Sequence, residues 1–244
     1  MPRLRTLLPL AAAAAVLFAL IMVSQHPSRL VYAVPILAGV AIMASGALAI
    51  TGLRQRTKIA PGALPGLLVA SMSFADFFVE DNTLRIGIAA VTAVLFFILV
   101  RHLHEAIRTR EFHDAVIALS EWSAVMIVFS LAAGLYAAVT FLTFPLWGAT
   151  LIFAGISAFV SLTLARLMPN VPVFLMGAAA LLLAEGFYFL AALPLSYWVN
   201  GAVLAAVAYA LFMFARDLAT VRVRRTLMTA GAVGAAVLIT ARWR

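Results

Sequence analysis

Residues 145–166 read PLWGATLIFAGISAFVSLTLAR: a proline, twenty residues without a charge, and an arginine. As a helix, twenty residues cover about 30 Å, the hydrocarbon thickness of a bilayer. The proline suits a helix start, where its missing N–H costs nothing. The arginine suits the carbonyl end, where a cation complements the helix dipole. The same closure recurs along the chain, with apolar runs ending at Arg54, Arg101, Arg166 and Arg216. Pro194-Leu195-Ser196-Tyr197-Trp198 opens the run to Arg216 much as Pro145-Leu146-Trp147 opens the run to Arg166.

Extended in both directions, this reading divides the chain into apolar runs at about 7–24, 30–53, 64–79, 86–100, 116–140, 146–165, 171–190, 196–215 and 226–241. Hydrophobic residues make up 66% of the 244 and charged residues 11%. With a mean hydropathy of +1.12, a soluble domain of this size would expose apolar surface to water. The expected fold is therefore all-α: a polytopic transmembrane helix bundle of eight or nine spans forming one integral membrane domain. Short links after the first, third, fifth and seventh runs force antiparallel neighbours. Four helical hairpins follow, at 7–53, 64–100, 116–165 and 171–215, with a short final helix at 226–241.

Of the 17 Lys and Arg residues, 13 fall at the N-terminus and in the links between hairpins. The positive-inside rule makes that side cytoplasmic, so the N-terminus is expected inside and the tight turns outside. The start, with Arg3, Arg5 and an apolar stretch from Leu7 to Val23, is too long for a typical signal h-region and reads as an uncleaved first span, a cleaved leader being the alternative. The last run is short and begins in a basic segment, so it reads either as a span or as an interfacial helix. The matching hairpin lengths follow largely from a shared span length and orientation, with an internal duplication as the alternative. Rows of small residues, such as Ser130 with Gly134 and Gly201 with Ala205, let helices approach closely, either within the bundle or in a homo-oligomer.

The net charge of +8 does not indicate nucleic acid. The arginines are dispersed at span ends, and the aromatic residues lie inside apolar runs. The expected partners are membrane lipids, with a homo-oligomer or partner membrane subunits beside them. No cysteine is present, which excludes thiolate metal sites and cysteine nucleophiles. The only lysine, Lys58, lies in a link, histidine is absent from the well-defined spans, and no GxSxG, HExxH or phosphate-binding glycine loop occurs. No catalytic residue, metal ligand or cofactor is expected.

Ionisable side chains within spans default to functional candidates, and two qualify: Asp76 in the third run and Glu185 in the seventh. No lysine or arginine is expected at comparable depth to neutralise either, which suits a shared proton or a bound cation. The plain alternative is a protonated acid bonded to a neighbouring hydroxyl or carbonyl. Tyr188, Tyr197, Trp198 and Asn200 surround Glu185 in sequence, either as interfacial anchors or as cavity-lining groups. Glu121 reads as an interfacial residue. The segment 101–114, RHLHEAIRTREFHD, pairs acids with arginines at helical spacing and reads as a charged surface helix.

The stretch Ala184 to Arg216, with Glu185, Tyr188, Leu193-Pro194, Gly201 and the closing arginine, resembles the last helical pair of uncharacterised bacterial multi-span membrane proteins grouped as domains of unknown function. The resemblance covers 33 residues and implies a bacterial inner-membrane location without an activity. Two functions fit these features. One is a small proton- or cation-coupled transporter or transporter subunit; the other is a structural or accessory membrane protein that binds lipid or partner subunits.

Overall fold

The computed structural model describes residues 13–18, 20–21, 59–109, 114–168 and 171–217. Among these the protein is all-helical. Residues 13–18 and 20–21 are helical, and six longer helices follow: α1 (Ile59–Asp76), α2 (Asn82–Thr109), α3 (Asp114–Phe141), α4 (Leu146–Leu167), α5 (Val173–Leu190) and α6 (Tyr197–Asp217). Five of them, α2 to α6, are long and apolar enough to cross a membrane, the make-up of a multi-pass membrane protein. The apolar part of α1, Ala63–Asp76, is shorter. The runs at 30–53 and 226–241, and Arg54 with them, lie outside the described residues.

The chain divides into two compact units, Met1–Ser123 and Ala124–Arg244, with α3 running through the boundary. In the first unit α1 packs along α2. Ala13, Val16 and Leu20 form a buried cluster with Val69 of α1 and Ala89, Phe96 and Val100 of α2. Pro65 lies inside α1, where it can donate no backbone hydrogen bond. Complete burial of Leu64, Leu68 and Val69 around it holds the turn in place.

Helix α2 does not stop at Arg101 but continues to Thr109. The reason is packing: Phe96, Leu99, Val100, Leu103 and Ala106 are all buried at helical spacing. The stripe thus carries past the arginine, and His102 and Glu105 lie on the same helix. Arg101 is exposed in the body of α2, whereas Arg166 and Arg216 stand in the last turns of α4 and α6.

The α1–α2 link is fixed by Asp81, whose Oδ1 accepts the Thr83 N–H at 2.7 Å and the Leu84 N–H at 3.0 Å. These bonds, Leu84 foremost and then Thr83, hold the carboxyl below its ordinary value of 3.8. A group whose pKa is depressed by folding stabilises the fold above its unfolded pKa and loses that contribution as pH falls through the folded value. Asp81→Ala is therefore expected to lower the thermal midpoint at pH 7, and the gap to wild type should close as pH falls below about 4, the unfolded aspartate range. A constant gap down to pH 2 would contradict this.

In the second unit, Pro145 and Pro172 stand directly before α4 and α5 with extended backbone, and the carbonyl of Pro145 accepts the Ala149 N–H at 3.0 Å. Ser196 caps α6, its Oγ accepting the Val199 N–H at 3.4 Å. Helix α5 packs along α4 and α6, more extensively along α4. Packing thus runs past the hairpin boundary expected at 166–170. Buried Met176, Ala179, Ala180, Leu183 and Phe187 form the inner stripe of α5, with two alanines that permit a close approach.

Candidate functional site

Asp76 is the last residue of α1, so Phe77 and Phe78 form a turn beyond it instead of a further stretch of span. Its side chain is buried, and Oδ1 has no hydrogen-bond partner. The expectation of no basic neighbour needs correction. Arg85, in the first turn of α2, folds back over the link, donates from Nε to the Val79 carbonyl and lies within electrostatic reach of Asp76. In sequence the two are nine residues apart; the tight α1–α2 turn brings them together.

Glu185, in the second unit, occupies a different setting. It is exposed on α5, and its neighbours three and four residues away, Leu181, Leu182, Tyr188 and Phe189, are exposed as well. Among the described residues no hydrogen bond or ion pair engages it. The opposite stripe of the helix faces protein, so Glu185 belongs to the surface that a bilayer or another protein would cover. A charged side chain there is expensive, at about 2.5–3.5 kcal/mol for the centre of a bilayer and less toward its edge.

The other residues singled out around Glu185 separate. Tyr188 is exposed. Tyr197 and Trp198 are half-buried in an aromatic group, with ring centroids 5.0 Å apart, Tyr197 edge-on to Phe141 and Trp198 stacked on Phe129. Only Asn200 is interior, its Nδ2 donating to the Leu190 carbonyl at 3.4 Å and its Oδ1 left without a partner. It ties the start of α6 to the end of α5.

Three features escape a reading by hydropathy. Tyr136 of α3 donates from its hydroxyl to the Phe187 carbonyl at 2.5 Å, and its ring stacks on Phe187 at 4.2 Å. Phe187 stacks in turn on Phe153 of α4 at 4.6 Å, so one ring joins three helices. Glu121, expected at the membrane interface, is buried among protein side chains.

The third feature concerns hydroxyls. Ser71, Ser73, Thr92, Ser120, Ser123, Ser130, Thr140, Thr150 and Thr163 each donate to a carbonyl three or four residues back in their own helix. Ser157 and Ser161, four residues apart on α4 and fully buried, have no partner for Oγ. A buried hydroxyl without a partner costs about 1–3 kcal/mol. Ser157→Ala and Ser161→Ala are therefore expected to raise the thermal midpoint in detergent, an unusual outcome for buried substitutions. A fall would contradict this and mean that the hydroxyls contribute stabilising contacts.

No family model, curated protein or solved structure significantly matches this chain.

Proposed function

We propose that this protein is an accessory subunit of a bacterial inner membrane, with its N-terminus in the cytoplasm, that works by binding lipid and a partner membrane subunit. The observation that carries this reading is Glu185, a carboxylate placed on the exposed stripe of α5 and flanked by large apolar side chains. A coupling carboxylate in a carrier would be expected to face an interior path. One that faces outward instead suits recognition in the plane of the membrane. The test is native extraction in mild detergent. Wild-type protein should migrate in a defined complex larger than its own 26.0 kDa, containing a second polypeptide in fixed ratio; migration as the bare chain would sink the proposal.

A proton- or cation-coupled transporter, or a subunit of one, is the second reading. It is favoured by the unpartnered Oδ1 of buried Asp76 beside Arg85, a pair able to hold and release a proton at the end of α1. Reconstituted vesicles should then show pH-driven flux that Asp76→Asn removes. Under the accessory reading the purified chain leaves vesicles as tight to protons as empty ones.

A further inference from the structure

We infer that the exposed stripe of α5 is a docking face for a transmembrane helix that carries a lysine or arginine at the depth of Glu185. This rests on the accessory reading and specifies the chemistry of its partner. Phe174, Leu181, Leu182, Tyr188 and Phe189 are each at least half exposed and recur at helical spacing on one side of α5. A side chain built on Gly177 would meet nothing within 4 Å, so the stripe has open room beside it. Glu185 is the single charge on this surface, five residues before the helix ends at Leu190. At 1.5 Å per residue it lies about 7–8 Å inside that end.

The stripe itself offers the carboxylate no cation, because its neighbours on the helix surface are two leucines, a tyrosine and a phenylalanine. Among the described residues, the arginines of the second unit stand at the other end of the helices: Arg166 closes α4 just before α5 begins, and Arg216 closes α6 at the end away from Leu190. Among the described residues of a second copy, Arg85 is already engaged with the Val79 carbonyl and with Asp76. A basic side chain on a different helix satisfies the carboxylate, and the flanking apolar residues supply the packing that associates helices in lipid.

The absence of cysteine permits a clean test. The full chain is labelled at Ala192→Cys, in the link after α5, and reconstituted in phosphatidylcholine vesicles. Added to these are dye-labelled leucine–alanine helical peptides with either one lysine about 7 Å inside one end or leucine at that position. Energy transfer should report association of the lysine peptide at least about tenfold stronger than that of the leucine peptide, a difference of about 1.4 kcal/mol. Glu185→Gln should abolish the preference, and Glu185→Lys should transfer it to a peptide carrying glutamate.

Equal association of both peptides with wild type, or a preference that survives Glu185→Gln, overturns the inference and leaves the stripe facing lipid. Strong transfer between two labelled copies without peptide, lost in Glu185→Gln, overturns it in favour of a self-interface. If native extraction yields a partner while the lysine peptide is not preferred, the accessory reading stands and only the assignment to this face and charge fails.

Discussion

Gly201→Leu should prevent recovery of a monodisperse protein from membranes, and Gly201→Ala should cost about 1–3 kcal/mol, the range for overpacking a close contact. A Cβ at this position would lie 3.0 Å from the Cβ of Ala133, 3.0 Å from the carbonyl oxygen of Phe129 and 3.1 Å from the amide nitrogen of Ala133. Two of those three atoms are backbone of α3 and cannot rotate aside, so the new methyl must push α6 away from α3. Beside this approach Trp198 stacks on Phe129, with ring centroids 6.1 Å apart. Tryptophan fluorescence during thermal unfolding in detergent reads the effect. Ala133→Gly should recover part of the loss of Gly201→Ala but little of that of Gly201→Leu; additive losses in the double variant would show that the contact is not the cause.

Phe187→Ala is expected to cost about 3–5 kcal/mol, the range for truncating a buried aromatic ring. The substitution removes the ring that stands between Tyr136 and Phe153 and leaves a void among three helices. Tyr136→Phe is a sharp comparison. It deletes only the hydroxyl, and the Phe187 carbonyl still receives the Ala191 N–H at 3.3 Å, so its cost should stay near about 1 kcal/mol. Thermal midpoints of the two variants should therefore differ by several degrees. Equal midpoints would mean that the hydroxyl, not the stack, joins these helices.

Much of the helical layout was legible in the residues. Runs at 116–140, 146–165, 171–190 and 196–215 correspond to helices at 114–141, 146–167, 173–190 and 197–217, because a long apolar stretch bounded by turn formers or charges leaves little freedom for its ends. The turn after Asp76 and the continuation of α2 beyond Arg101 were less legible. Both are decided by which side chains find a packing partner, and hydropathy does not record that. The same limit explains the site. An almost uniformly apolar helix carries no pattern that distinguishes a protein-facing from a lipid-facing side, so the sequence placed Glu185 at a depth without a direction. Arg85 escaped notice as a neighbour of Asp76 because a reading by runs assigns it to the next span.

The helices also differ in length. With 28 residues, α3 is about 42 Å long, whereas α5 with 18 is about 27 Å. A bilayer cannot match both. A hydrocarbon core of about 30 Å is slightly thicker than α5 is long, which favours thinning there, while α3 tilts or extends into the headgroups, each at a modest cost for each ångström of mismatch. Thinning beside α5 draws water and headgroups toward Glu185 and makes the free carboxylate cheaper. In a thicker, more ordered membrane that relief is smaller, so lipid chain length becomes a control on how strongly the α5 face seeks a partner.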